Sequence, residues 1–259
     1  MKLSAALFFL AVASASPAAQ GASFAINPTA DAFVTTGPTG NLSGNNYGGA
    51  GSVSVAAPGL PQGELQGVLK FDLAGAAASF DGAFGAGQWS VQSVVLQLTA
   101  TAANNAIFNA PAAGQLGVSW LQNDSWTEGT GSPAAPGASG ITFATLQSTF
   151  IGAGDESLGT FGFTGATSGA FAYSLGLTSG LNADLLAGSI LSLGLFAADG
   201  SMSGVFNSRS FVTPASRPLL TIVAVPEPGS LQLGALGLLL LGLRRPSGTA
   251  VRRKARPAA

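Results

Sequence analysis

The chain has 259 residues, a formal net charge of −1 and only 8% charged side chains. It contains neither histidine nor cysteine, which excludes Ser-His-Asp triads, histidine general bases, histidine- or thiolate-held metals and thiol nucleophiles. Without cysteine, an exported chain has no disulfide framework, so its core must hold itself together.

At the N-terminus Met1-Lys2 forms a minimal positive region and Leu3–Ala13 an apolar one, followed by small residues. Ala13-Ser14-Ala15 has the A-x-A form of a signal-peptidase site, and Ser16-Pro17-Ala18 is a second candidate. Residues 1–22 are therefore expected to be a secretory signal peptide. In the body that follows, residues 23–224, glycines are dispersed between short apolar runs, a pattern of many strands joined by tight turns. Strands are expected at Ala32–Thr36, Ser52–Ala56, Gln66–Leu73, Val91–Ala102, Leu116–Leu121, Ile141–Leu146, Gly159–Phe163, Phe171–Leu175, Ile190–Ala197, Gly204–Phe211 and Leu219–Val223. Alternation in Val94–Thr99 and Leu191–Leu195 points one side chain in two inward. The spacing of Leu181, Leu185 and Leu186 predicts one short helix, capped by Thr178 or Ser179 and ended by Gly188. Gly37–Gly51, Ala74–Gln88 and Glu128–Gly140 read as loops. The expected fold is all-β: a single antiparallel β-sandwich, in the form of a jelly roll, with one short helix.

Chemistry-bearing residues are few, and no catalytic residue is assigned. The close carboxylate pairs Asp124/Glu128 and Asp155/Glu156 would suit glycoside hydrolysis, but their Gly-flanked settings read as turns. Asp31, Asp72 and Asp199 offer oxygen ligands for a structural Ca²⁺, the one metal this composition permits; no other cofactor is expected. The body's bases, Lys70, Arg209 and Arg217, are expected to pair with carboxylates such as Asp31, Asp72 or Asp199. The alternative is that Lys70 or Arg209 hydrogen-bonds a sugar hydroxyl or uronate. Trp126 and Tyr47 either stack on sugar rings or, for Trp126, anchor the sandwich core.

The C-terminus is organised in three parts. Val225-Pro226-Glu227-Pro228 should be extended and exposed, because the prolines fix φ and deny backbone donors. The apolar run Gly229–Leu243 covers 15 residues, about 22 Å of helix against a hydrocarbon core of roughly 30 Å. Local thinning of the bilayer or snorkelling of Arg244 and Arg245 would complete a transmembrane helix over 229–243. Residues 244–259 are basic without any acid, whereas the body has ten acids and three bases. Basic flanks stay cytoplasmic, so the expected topology is C-terminus inside, body outside, with the inner membrane as a transient or permanent anchor. The export signal argues against a nucleic-acid partner for the basic end.

This tail, residues 225–259, resembles the PEP-CTERM sorting signal of exported bacterial proteins. The resemblance implies an exosortase partner beside signal peptidase, and a final place at the cell surface or outside the cell. The body is similar to the DNRLRE-type β-sandwich, related to jelly-roll carbohydrate-binding modules. That similarity rests on Ala30–Val34, Asn46-Tyr47-Gly48-Gly49, Leu69–Leu73, Ser125–Gly129, Phe206-Asn207-Ser208-Arg209 and Arg217-Pro218-Leu219-Leu220 in this order. Ser210-Phe211 replaces the acid common after Ser-Arg in that family. Together the resemblances imply a non-catalytic surface or exopolysaccharide-associated matrix protein. A polysaccharide-recognising module is the alternative, and an extracellular glycoside-active enzyme the remoter one.

Overall fold

A computed structural model of the chain describes residues 20–102 and 110–227. Two antiparallel sheets pack face to face. The smaller has four strands in the order β1 (Ala22–Ile26), β11 (Leu219–Pro226), β5 (Trp89–Thr99) and β8 (Ala170–Leu175). The larger has seven. Six of these run β10 (Ser203–Asn207), β3 (Ser52–Ala56), β4 (Leu65–Asp72), β9 (Ile190–Ala197), β6 (Ala113–Leu121) and β7 (Glu156–Thr164). The seventh, β2 (Ala30–Thr35), pairs with β4 over its length.

Alternation fixes which residues enter the core, because a slip of one residue would turn every apolar side chain outward. Val94, Leu96 and Leu98 of β5 meet Leu191, Leu193 and Leu195 of β9 between the sheets, with Phe71 and Leu220 in the same cluster. All of these are essentially inaccessible to solvent. The outer face of the large sheet is covered as well. Ala32, Val34, Val68 and Leu121 project there and bury Trp126, Ile141 and Leu146 in a second apolar cluster. A third cluster closes one end around Phe33, Tyr47, Ala56 and Leu65.

Several expected elements are corrected. Ala74–Gln88 is not a loop throughout: α1 (Ala74–Phe84) is helical and buries Ala76 and Phe80, one helical turn apart. Its alanines are the strongest helix formers, and a carboxylate oxygen of Asp72 accepts the Ala74 N–H at 3.0 Å. Ile141–Leu146 is not a strand. Thr142 and Thr145 form a reciprocal capping box that starts the single turn α2 (Phe143–Thr145), which runs into a π-helical turn over Leu146–Phe150. The strand expected over Gly204–Phe211 stops at Asn207, that over Val91–Ala102 stops at Thr99, and β1 was not expected. The helix before Gly188 is present as α3 (Ser179–Ala187); Leu181 and Leu185 are buried in it, but Leu186 faces solvent. Gly188 ends it in the left-handed region at φ +63°, the conformation glycine adopts without a Cβ penalty.

No helix among the described residues is long and apolar enough to cross a membrane. The expected signal cleavage region (Ala13, Ala15), most of the segment 1–22, Pro228, the helix 229–243, the stop Arg244-Arg245 and the basic end to residue 259 lie outside the described residues.

Candidate functional site

Segments far apart in sequence converge on the second apolar cluster and the adjoining end of the sandwich, and Asn46 is their hub. Its buried amide donates to the carbonyls of Glu128 and Ile141, both at 2.7 Å. Its Oδ1 accepts the N–H groups of Gly48 at 3.2 Å and Gly131 at 3.1 Å. Every hydrogen-bonding valence of the side chain is thereby used, and the loop from Glu128 to Ile141 is tied to the loop that precedes β3. Gly129 must be glycine here: its φ is +75°, and a Cβ would stand 2.3 Å from Asn46 Oδ1. Beside this hub Tyr47 stacks flat on Phe33, ring centroids 4.9 Å apart.

The Glu128 carboxylate is held from two directions. The guanidinium of Arg209 donates through Nε at 2.9 and 3.1 Å and through Nη2 at 2.5 Å, a forked ion pair. The Asp31 backbone N–H donates to Glu128 Oε1 at 3.3 Å. The Asp31 carboxylate in turn accepts the backbone N–H of Arg209, so β2, the loop after Trp126 and the turn after β10 are bound together. Asp31 is buried, and burial, reinforced by the charge of Glu128, pushes its carboxyl up to about 7 against the Arg209 N–H and guanidinium. The hydrogen bonds from Arg209 to Glu128 raise the guanidinium still further above its ordinary range.

Lys70 clamps the same region from β4. Its ammonium donates to the carbonyls of Asp124 at 2.7 Å and Trp126 at 2.5 Å, and lies 4.5 Å from the centroid of the Trp126 ring. Burial lowers its pKa, opposed by the charge of Asp124. The indole N–H of Trp126 donates to Ser192 Oγ of β9 at 2.9 Å. With a polar tip satisfied and the ring 1% exposed, Trp126 is an anchor of the fold. Trp126 and Tyr47, considered above as exposed stacking residues, are both interior.

The remaining candidates do not join this constellation. Arg217 Nε donates to the Phe211 carbonyl. Asp199 accepts the N–H groups of Ser201 and Met202 in the turn after β9, which holds its carboxyl below the usual range. Asp72 caps α1. Asp31, Asp72 and Asp199 therefore do not assemble, and no group of three or more metal-capable side chains occurs among the described residues. The expected pairing of bases with aspartates is revised: Arg209 takes Glu128, while Lys70 and Arg217 take backbone carbonyls. The second carboxylate pair serves mainly backbone. Asp155 accepts the Gln122 and Gly152 N–H groups, and Glu156 accepts from Ser179 and Gly180 at the start of α3. Sequence reasoning missed Asn46 and Ser192 as organising residues; the glycines after Asn46 were the available signal, and Ser192 gave none.

Compared with protein-family models and with curated proteins, the chain matches none. Chemically, the constellation offers a network of polar groups around a buried tryptophan, in which, among the described residues, Asp124 Oδ1 alone of the carboxylate oxygens is buried without a hydrogen-bond partner, and burial raises the pKa of that carboxyl.

Proposed function

We propose that this is an exported, non-catalytic surface or extracellular-matrix protein whose tail is processed by an exosortase-like enzyme. The observation that carries the non-catalytic reading is the commitment of Lys70, Asn46, Glu128 and Arg209 to carbonyls, amides and each other, a pattern that builds a scaffold. The strand order supports the finer reading as a jelly roll. Taking β1, β4, β5, β6, β7, β8, β9 and β11 as strands one to eight, the sheets run 1-8-3-6 and 2-7-4-5, the arrangement of two interlocked Greek keys. The remaining strands are additions at the β4 edge.

The sorting reading is supported by the tail's three-part organisation. Of the motif expected to be extended and exposed, Val225 and Pro226 are instead half-buried and paired within β11, because the strand continues against β5 through Pro226, while Glu227 is exposed and its N–H donates to the Gln88 carbonyl at 2.9 Å. Signal cleavage near Ala15 fits the domain better than cleavage at residue 22, because β1 already pairs at Ala22 with Ala224. The test is the intact mass of the exported protein from its native host. A species starting near Ser16 and lacking Leu231–Ala259 is expected; one retaining that segment means the tail is a permanent anchor.

A polysaccharide-binding reading has one observation in its favour. With Trp126 and Tyr47 interior, the candidate contact moves to an open cleft of about 280 Å³ on the large sheet. There Phe196 is half-buried beside Gln66, Ser119 and Asp155, a ring with polar neighbours. Phe196→Ala should reduce retention on polysaccharide if this reading holds; unchanged retention removes it.

A further inference from the structure

One lysine and one aspartate of the Trp126 clamp lie side by side without forming an ion pair. Lys70, Ser192 and Leu121 are cross-strand partners in a row over β4, β9 and β6, so their side chains stand on the same outer face of the large sheet. Just past Leu121 the chain turns back over that row. Trp126 reaches Ser192 with its indole N–H, and Lys70 Nζ donates to the carbonyls of Asp124 at 2.7 Å and Trp126 at 2.5 Å. Nζ is thus pinned against Asp124 itself. Yet the one ion pair among the described residues is Arg209 with Glu128, and Asp124 Oδ1 is buried with no partner. A buried carboxylate oxygen left unpaired beside a lysine is unfavourable as a resting arrangement. Asp184, whose charge Asp124 also feels, does not compete for the lysine. Its own oxygens accept from Trp120 Nε1 at 2.7 Å and Ser189 Oγ at 2.9 Å.

We propose that Lys70 and Asp124 condense in the folded protein into an intramolecular isopeptide bond, joining Nζ to Cγ. The lone pair of the uncharged amine attacks Cγ of the protonated carboxyl; the Nζ–Cγ bond forms and one Cγ–O bond breaks. The departing hydroxyl takes one proton from Nζ and leaves as water, so atoms balance without an oxidant, an energy source or any other co-reactant. A turn of the Asp124 side chain about χ1, from one staggered well to another, brings Cγ to the pinned nitrogen. The same burial prepares both groups. It lowers the pKa of Lys70, opposed by the charge of Asp124. It raises that of Asp124, reinforced by the charge of Asp184 and opposed by hydrogen bonding from Ser192 and the charge of Lys70. Both shifts favour the amine and the acid, the forms that react. In the unfolded chain the two groups are charged and 54 residues apart, so folding supplies both the reactive forms and the proximity. The product ties β4 covalently to the segment after β6, the constraint a disulfide would give a chain that had cysteine. Its amide keeps one N–H for one of the two carbonyls, and the interior loses an ammonium and an unpaired carboxylate.

The scarcity of bases makes the bond easy to read. Between Lys2 and Arg209, Lys70 is the only residue after which trypsin cuts, and an acylated lysine is not cut. The full chain, purified in detergent, is denatured and digested. It should be lighter than its sequence by one water and yield a fragment that runs uncut through Lys70 to Arg209, with the branch at Asp124 in fragmentation spectra. Asp124→Ala and Lys70→Arg, the second keeping the charge and the donors, should each retain the water and be cut at position 70. Wild-type chain that keeps its full mass and is cut after Lys70 overturns the proposal, and the lysine is then a clamp of carbonyls only. Water loss that maps elsewhere overturns it too, as at Asp81-Gly82 or Asp199-Gly200, where an aspartate cyclises onto the next backbone nitrogen. If either variant fails to fold, the wild-type digest still decides, because the bond is read in the denatured chain.

Discussion

The Asn46 side chain makes four hydrogen bonds, as many as the Glu128 carboxylate and one more than the Arg209 guanidinium. Asn46→Ala removes four bonds and strands two backbone N–H groups and two carbonyls in partly buried surroundings. A loss of about 3 kcal/mol is expected in urea unfolding, with the Glu128–Ile141 loop becoming sensitive to protease first. Trp126→Ala should cost about 3–5 kcal/mol, since a full indole leaves the second cluster. Trp126→Phe should recover most of that while leaving Ser192 without its donor. Asp31 predicts a pH dependence of definite sign. Its carboxyl titrates near 3.8 when unfolded and about 7 when folded, so the folded state holds the proton more tightly. The stabilisation is complete below about pH 4 and is lost as pH rises toward 7. It amounts to on the order of 4 kcal/mol at most. Asp31→Asn, whose amide oxygen can still accept the Arg209 N–H, should flatten that slope in melting temperatures measured from pH 4 to 8; a slope that persists assigns it to another group.

Among elements, β5, β9 and α3 were legible because a simple period governs them: Val94, Leu96 and Leu98 alternate, and Leu181 and Leu185 repeat at one helical turn. α1 was not, because glycine and alanine together look like loop composition, whereas Ala76 and Phe80 alone carry its buried stripe. Ile141, Phe143 and Leu146 fit either period. What decides them is the Thr142–Thr145 capping box, which lacks the glutamate or glutamine that marks such a box in a sequence. Thr142→Ala should therefore cost about 1 kcal/mol and loosen the turn that brings Leu146 onto the sheet, measurable as faster amide exchange over Phe143–Phe150. The site was legible as a set of segments but not as an arrangement. That Glu128 rather than an aspartate would take Arg209 depends on the Asn46 hub, formed across 82 residues of sequence.

At the scale of the whole molecule, the strand crossings between sheets make most contacts long-range, and folding should be slow and cooperative. Circular dichroism should show a β-dominated spectrum with a single melting transition, and a helix-dominated spectrum would contradict the fold. The first and last strands of the described domain also meet. β1 begins at Ala22, β11 ends at Pro226, and Ala22 pairs with Ala224, so trimming into either strand should destabilise the same corner.

That corner has a mechanical meaning. β11 lies between β1 and β5, bonded to one from Ala224 to Leu220 and to the other from Pro226 to Leu219, and the tail follows without a linker. A pull on the tail is thus applied lengthwise to an interior strand. Its hydrogen bonds to both neighbours must slide together and cannot open singly from an end. A domain held at the end of β11 would resist as a rope does, loaded along its fibres. In single-molecule stretching, a handle at Glu227 should rupture the fold at higher force than one at Ser201, in the turn leading to the edge strand β10.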